Sequence, residues 1–118
     1  MITAKVSYCE NTKRFRLEID GHAGQATHGN DIVCSAVSTL TYSAAQVVQV
    51  MAANGYCSNS PTVDLGSGKA VIDLICENEE EYNKMRLTTL FLVAGFALLQ
   101  KQYPKYVKFI IDEAQALI

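Results

Sequence analysis

Residues 14–40 have the sequence RFRLEIDGHAGQATHGNDIVCSAVSTL, in which the spacing of apolar residues changes from two to three and four. Phe15, Leu17 and Ile19 alternate with charged residues, which is the period of a half-buried strand. From Asp31 onward the apolar residues recur at helical steps. The segment between them is small, polar and rich in glycine, so it predicts a loop that joins a strand to a helix.

The same two periods continue on both sides of this stretch. Alternating apolar residues also predict strands at residues 2–8, 62–65, 69–76 and 107–112. Steps of three and four predict helices at residues 31–53 and 78–102. The order is therefore ββαββαβ, and we expect an α+β fold in which two long helices cover a mixed or antiparallel sheet as a two-layer sandwich.

Residues that are typical of helix ends support both predicted helices. Asn30 or Asp31 is placed to supply the side-chain oxygen that caps the first helix, and the Asn-Gly pair at residues 54–55 is placed to end it. Asn78 is expected to cap the second helix, and Glu81 completes a capping-box pattern three residues later.

Composition and charge limit the functions that the chain can have. Its 118 residues predict a single domain over residues 1–118, and 49% apolar with 19% charged residues is a globular composition. A formal net charge of -2 argues against direct binding to nucleic acid. The first residues lack the features of a secretory signal, so we expect a cytoplasmic protein.

The segment at residues 90–99 contains no polar side chain. It is about half as long as a bilayer crossing requires, so its length excludes a membrane span. Apolar residues on every side of a helix indicate burial within protein. We therefore expect this segment to contact the other helix and a partner subunit as well as the sheet.

The four cysteines are too few and too scattered to form a disulfide scaffold: Cys9, Cys34, Cys57 and Cys76. No Cys-x-x-Cys pair occurs, and only two histidines are present, so we expect no metal site. The Gly-Ser-Gly turn at residues 66–68 lacks the Lys-Ser/Thr ending of a phosphate loop, and we expect no cofactor. All four cysteines are expected to be free thiols, and those at positions 9, 57 and 76 are expected to be structural.

Cys34 falls in the first turn of the first helix, where backbone N–H groups and the helix dipole stabilise a thiolate. A first-turn cysteine is also commonly a small buried apolar residue, so its position leaves both roles open. His22 ends the preceding strand, and the glycine-rich loop after it is long enough to bring the imidazole over the helix start. The spacing between His22 and Cys34 fits equally well an ordinary loop histidine that makes a backbone hydrogen bond.

Three neighbouring residues have less specific roles. Asp31 is a cap by type and place, and its carboxylate could also orient the histidine. Ser38 lies one helical turn after Cys34, where it either bonds to a substrate or leaves space for close packing. His28 is a rival base in mid-loop, and its default role is exposed loop polarity.

Residues 21–23 (GHA) and 29–38 (GNDIVCSAVS) together resemble the signature of the bacterial ribosomal-processing cysteine protease Prp family. Size and element order are similar to that family over nearly the whole chain. The resemblance implies that His22 and Cys34 form a catalytic pair. It also implies a homodimer and a substrate, the short N-terminal extension of a large-subunit ribosomal protein, which is cut beside an aromatic pair.

Asp31 and Ser38 match further positions of the same motif. The expected mechanism is acyl-enzyme chemistry, with N–H groups of the helix start as oxyanion donors. Gly24 and Gly29 are candidate hinges of a loop that closes over the substrate, since small polar residues hold a loop in place weakly. Two alternatives remain: a ribosome-associated module that grips a partner without catalysis, and a cysteine redox sensor, for which no close resolving cysteine is visible in the sequence.

Overall fold

The computed structural model describes residues 1–23 and 31–113, and it confirms the predicted element order ββαββαβ. The five strands are β1 (Ile2–Cys9), β2 (Arg14–Asp20), β3 (Thr62–Gly66), β4 (Lys69–Ile75) and β5 (Val107–Glu113). The two helices are α1 (Ile32–Ala53) and α2 (Glu79–Gln102). Predicted and observed bounds differ by about one residue.

The strands form one mixed sheet in the order β3-β4-β2-β1-β5. Adjacent strands run antiparallel except β1 and β5, which are parallel. A parallel pair needs a long crossover connection, and the chain between β1 and β5 supplies it with three strands and both helices. The sheet therefore brings the first and last strands of the described chain side by side.

The register places the apolar residues of the strands on one face of the sheet. In the two central antiparallel pairs, Phe15 lies between Tyr8 and Leu74. Helix α1 packs over β4, and α2 packs over β1, β2 and β5, with the ring centroid of Phe96 5.9 Å from that of Phe109. Full burial of one such side chain contributes about 1.5–3 kcal/mol. These contacts confirm the predicted two-layer α+β sandwich.

The opposite face of the sheet carries charged side chains that pair across strands. Asp73 accepts two hydrogen bonds from Arg14, at 2.7 and 3.0 Å, and one from Arg16 at 2.6 Å. The two guanidinium groups offset the cost of burying this carboxylate. Ser7 lies opposite Arg16 and is also buried, although the alternation in its strand predicts a polar, solvent-facing position.

The helix ends follow the predicted caps with one exception. The Asn78 side chain accepts the Glu81 N–H at 3.0 Å, and α1 ends at Asn54 and Gly55, which has a φ of 77°. Glu81 does not return a contact to the cap. Its Oε1 accepts from Lys84 at 3.1 Å, and its Oε2 has no hydrogen-bond partner among the described residues. The predicted capping box is therefore only half formed.

The apolar segment at residues 90–99 is only partly buried within one chain. Three of its large side chains are exposed: Leu90 (65%), Phe91 (71%) and Leu98 (52%). The sheet and α1 reach only part of the helix circumference, so the expected contact with a partner subunit stays a prediction. Contact with the other helix is confirmed, since a Cβ on Gly95 would lie 2.9 Å from Leu40 Cδ1. In the described part of the chain, neither helix has the combined length and hydropathy of a membrane span.

Candidate active site

Cys34 lies in the first turn of α1, where the sequence predicts it. Asp31 is the N-cap, and its Oδ1 accepts the Val33 N–H at 2.9 Å and the Cys34 N–H at 3.1 Å. The Asp31 carbonyl accepts from both the N–H and the hydroxyl of Ser35. Asp31 therefore fixes the stretch of backbone that carries the thiol.

The Cys34 thiol is half-buried and has a hydrogen-bond donor in the segment that follows β2. The Ala23 N–H donates to Cys34 Sγ at 3.4 Å. Ala23 itself is buried, so this donor is held in place by packing. This contact ties the thiol to the segment that follows β2.

His22 is held at the end of β2 by a turn that requires glycine. Gly21 has a φ of 94°, and a Cβ there would collide with the Met1 carbonyl oxygen. The Gly21 N–H donates to the Gly68 carbonyl at 2.8 Å, which ties the end of β2 to the turn between β3 and β4. The imidazole lies against that turn, since a Cβ on Gly68 would be 2.7 Å from His22 Nε2.

One cleft of about 380 Å³ contains these groups, between α1 and the β3–β4 turn. His22 and Cys34 both line it, together with Ser38. Its apolar walls come from the sheet, from α1 and from β3: Ile2, Ile19, Val37, Tyr42 and Leu65. Asp31 is buried at 3% exposure and is not part of this lining. The structure thus brings three predicted site residues together and places Asp31 behind them as a cap.

The β3–β4 turn is a part of the site that the sequence analysis missed. Residues 66–68, Gly-Ser-Gly, are typical of an ordinary connection between two strands. Only the sheet order, which places β4 beside β2, brings this turn to the imidazole. No local sequence signal distinguishes it from other hairpin turns.

Four residues singled out in the sequence lie outside the described residues: Gly24, His28, Gly29 and Asn30. Among residues 1–23 and 31–113, no three His, Cys, Asp or Glu side chains are grouped so that they could hold a metal ion. The described part of the site consists of a thiol, an imidazole and a hydroxyl at a helix start.

A thiol and an imidazole that share a cleft are the groups that cysteine-dependent hydrolases use. In that chemistry the imidazole takes up the thiol proton, and the sulfur attacks a carbonyl carbon. The arrangement in this cleft therefore defines the class of a candidate cysteine hydrolase.

Comparison with known families agrees with this class. The family model described as Cysteine protease Prp matches residues 1–108. Because this match covers most of the chain, the chain belongs to the cysteine protease Prp family. No curated protein matches the chain.

Solved structures share the fold. SMU.848 from Streptococcus mutans is 30% identical, with 96% of this chain and 95% of that chain covered and a TM-score of 0.69. The ribosomal processing protease Prp from S. aureus, in complex with a covalently linked product peptide, is 20% identical over 95% of this chain and 100% of that chain, with a TM-score of 0.69. Its complex with a substrate peptide gives 16% identity, the same two coverages and a TM-score of 0.62.

Proposed function

We propose that this chain is a single-domain cysteine endopeptidase in which Cys34 is the nucleophile and His22 is its base. The observation that carries the proposal is that both side chains line one cleft at the start of α1. Membership of the cysteine protease Prp family supports the same reaction. The motif resemblance in the sequence falls on the same two residues.

Catalysis begins with proton transfer from Cys34 Sγ to the His22 imidazole. The thiolate attacks the scissile carbonyl carbon, and the imidazolium gives the proton to the leaving amine as the peptide bond breaks. The neutral imidazole then takes a proton from water, which hydrolyses the thioester and releases the second product. The Ala23 N–H holds the sulfur before the attack, since it donates to Sγ at 3.4 Å.

Two of the N–H groups at the start of α1 already have an acceptor. Asp31 Oδ1 already accepts the N–H groups of Val33 and Cys34. While the cap is in place these two groups donate to Asp31, so each would have to share or leave that acceptor in order to stabilise an oxyanion. In our proposal the Ala23 N–H, which lies at the sulfur, takes this role.

The proposed substrate is the short N-terminal extension of a large-subunit ribosomal protein, cut beside an aromatic pair. The S. aureus protease has been solved with substrate and product peptides, which supports a peptide as the substrate. In this chain Val37, Tyr42 and Leu65 line the cleft, and such a surface suits an apolar or aromatic side chain. Ribosomal proteins are made in the cytoplasm, which is therefore the proposed location.

Cleavage of a synthetic peptide that spans the start of the extended ribosomal protein tests this proposal. A second peptide, with the aromatic pair replaced by two alanines, is the matched control. We expect the purified protein to cut only the first peptide, at a single bond, as followed by mass spectrometry of both fragments. Equal cleavage of both peptides would contradict the aromatic preference, and intact peptides after prolonged incubation would contradict the peptidase activity.

We also propose that the chain forms a homodimer through α2. Three apolar side chains that are 65–72% exposed lie on one face of α2, because the second and third follow the first by three and four residues: Leu87, Leu90 and Phe91. Beside them, a groove of about 370 Å³ between α1 and α2 is lined by apolar residues that include Leu40 and Val47. Contiguous apolar surface of this kind is unfavourable in water. The family resemblance supports a second copy of the chain as the partner that packs against it.

The oligomeric state in solution tests the proposed dimer. Phe91→Glu is expected to convert the dimer to a monomer, because it places a charge in the apolar surface, and light scattering after size-exclusion chromatography measures the change. Gln49→Glu adds the same charge on the exposed surface of α1 and is expected to leave the dimer intact. A wild-type chain that is monomeric at high concentration would contradict the proposal.

A further inference from the structure

Cys57 and Cys76 face each other at the open end of the β3–β4 hairpin, where they form an isolated antiparallel bridge. Two hydrogen bonds flank the pair: from the Ser58 N–H to the Ile75 carbonyl at 2.9 Å, and from the Glu77 N–H to the Tyr56 carbonyl at 2.8 Å. Because the bonds join the flanking residues, the two cysteines are a non-hydrogen-bonded pair. This is the closer type of antiparallel pair, with Cα atoms about 4.5 Å apart.

That spacing meets the backbone requirement of a disulfide, whose Cα atoms are about 4.4–6.8 Å apart. Directly opposed residues place their side chains on the same side of the two strands, so rotation about the side-chain bonds can bring the sulfur atoms together. Both residues are free thiols. Cys57 is half-buried, whereas Cys76 is only 1% exposed.

We propose that Cys57 and Cys76 are a thiol modification site, which forms a reversible disulfide by exchange with a small-molecule disulfide such as oxidised glutathione. Cys57 reacts first, because its sulfur is the more accessible of the two. Cys76 is the resolving cysteine. This site is distinct from the cleft and does not involve Cys34.

The exchange takes place in two balanced steps. The Cys57 thiolate attacks one sulfur of oxidised glutathione, which forms a mixed disulfide and releases one glutathione thiolate. The Cys76 thiolate then attacks the Cys57 sulfur of that mixed disulfide, which forms the protein disulfide and releases the second glutathione. Each protein sulfur loses one electron, the oxidant gains two, and the two departing thiolates take up the two thiol protons.

Burial sets the rate of this exchange. It raises the pKa of Cys57, and it raises the pKa of Cys76 to about 11, with smaller contributions from the neighbouring Cys57 and Glu81. Since the thiolate is the reacting form, the exchange is slow at neutral pH and becomes faster as the pH rises toward that value.

The disulfide closes a loop that contains the whole β3–β4 hairpin. The turn at the other end of that hairpin carries Gly68, which lies against His22. A cross-link at the open end reduces the freedom of the unfolded chain and restrains the two strands. We expect the Tm of the oxidised protein to be higher than that of the reduced protein by about 5–15 °C.

Cys9 is an internal control for the specificity of the reaction. It lies opposite Arg14, and Arg14 lies opposite Ile75, so its side chain is on the charged face of the sheet. Cys76 follows Ile75 and projects toward the helices. Cys9 is therefore expected to remain a free thiol under conditions that link the proposed pair.

The test equilibrates a Cys34→Ala variant with defined mixtures of reduced and oxidised glutathione, since this substitution removes the thiol in the cleft. Acid then stops exchange, free thiols are alkylated, and the digested protein is analysed by mass spectrometry. We expect a Cys57–Cys76 linked peptide that disappears on reduction, with Cys9 alkylated throughout. Thermal unfolding of the same samples measures the shift in Tm.

Cys57→Ala and Cys76→Ala are the matched controls, and neither is expected to form the linked peptide or to show the rise in Tm. Alanine is a small apolar residue, so it suits the position of a buried cysteine in both variants. Recovery of Cys57 only as a free thiol or a stable mixed disulfide, with Cys76 alkylated in every mixture, would overturn the proposal. This experiment measures disulfide formation and Tm rather than peptide cleavage, so its result is independent of the proposed peptidase function.

Discussion

Both helices begin with a capped first turn, yet only one of these beginnings is a proposed active site. At α1, Asp31 is the cap, the first turn contains no acidic side chain, and Cys34 lies within it. At α2, Asn78 is the cap, and residues 79–81 are all glutamate. Both caps have extended backbone, whereas the side chains of the two first turns differ.

The difference shows what makes a helix start reactive. Both starts have the same partial positive charge from the helix dipole. The glutamates of α2 place negative charge at that end from within the same helix. At α1 the corresponding space is a cleft, and His22 and the β3–β4 turn lie on its other side. The side chains of the first turn, together with the elements packed against it, therefore determine whether a helix start becomes a site.

The largest loss of peptide cleavage is expected from substitutions of the thiol at the start of α1 and of the imidazole in the same cleft. Cys34→Ala is expected to abolish peptide cleavage because it removes the nucleophile, and His22→Ala to lower kcat by about 10²–10⁴-fold because it removes the base. Rates of fragment formation measure both effects, with circular dichroism to show that the fold is retained. Cys57→Ala, at another half-buried thiol, is expected to keep the wild-type rate. A harmless His22→Ala together with a damaging His28→Ala would reassign the base.

A smaller loss of peptide cleavage is expected from a substitution in the β3–β4 turn, on the other side of the cleft from α1. Gly68→Ala places a methyl group 2.7 Å from His22 Nε2, so the imidazole has to move. Displacement of a catalytic group by about 1 Å can cost about 10²-fold in rate. We therefore expect kcat to fall by about 10–100-fold while KM changes little, as measured by steady-state cleavage of the substrate peptide.

Gly55→Ala is the matched control for this substitution. Gly55 has a φ of 77°, close to the 73° of Gly68, and within the described residues no atom lies within 4 Å of the added Cβ. Both substitutions strain a left-handed backbone by about 1–2 kcal/mol, but only Gly68→Ala reaches the imidazole. Equal losses of activity in the two variants would show that backbone strain is responsible and would remove the turn from the site.

The smallest effects are expected at the two caps. Asp31→Ala and Asn78→Ala each remove an acceptor of first-turn N–H groups, so each is expected to lower the free energy of unfolding by about 0.5–2 kcal/mol in denaturant titrations. Only Asp31→Ala is expected to slow peptide cleavage as well, because the Asp31 carboxylate fixes the backbone N–H of Cys34. Asn78→Ala with an equal loss of cleavage would contradict this difference between the helices.

Asp31→Asn separates the two roles considered for Asp31. The amide keeps an oxygen that accepts from the first turn, so stability is expected to remain close to that of the wild type. If cleavage is also retained, Asp31 acts as a cap alone. Loss of cleavage at unchanged stability would indicate that its charge acts on His22.

Most of the fold could be predicted because strand and helix periods depend on neighbouring residues. The alternation of Phe15, Leu17 and Ile19 and the helical steps after Asp31 each describe one continuous apolar face, and such a face has to pack against another. His22 and Cys34 were candidates for the same reason, since a strand end and a helix start are local features, whereas their proposed roles as base and nucleophile came from the motif resemblance.

The remaining features depend on residues that are distant along the chain. Gly68 lies beside His22, and Cys57 lies opposite Cys76, only because particular strands pair with each other. The apolar period of a strand does not indicate which strand it pairs with. The buried Ser7 is a further case, because its burial depends on the strands that pair with its own. Register and strand order, rather than local propensity, complete the site.

The parallel pairing of β1 with β5 has a consequence for the timing of synthesis. Ile2 lines the cleft, lies opposite Val107, and donates its N–H to the Tyr106 carbonyl at 2.8 Å. Translation proceeds from the N-terminus, so the strand that supports this wall leaves the ribosome long after His22 and Cys34. A nascent chain therefore carries the thiol and the imidazole before its cleft is complete. The topology thus delays competence for the proposed reaction until β5 has been made.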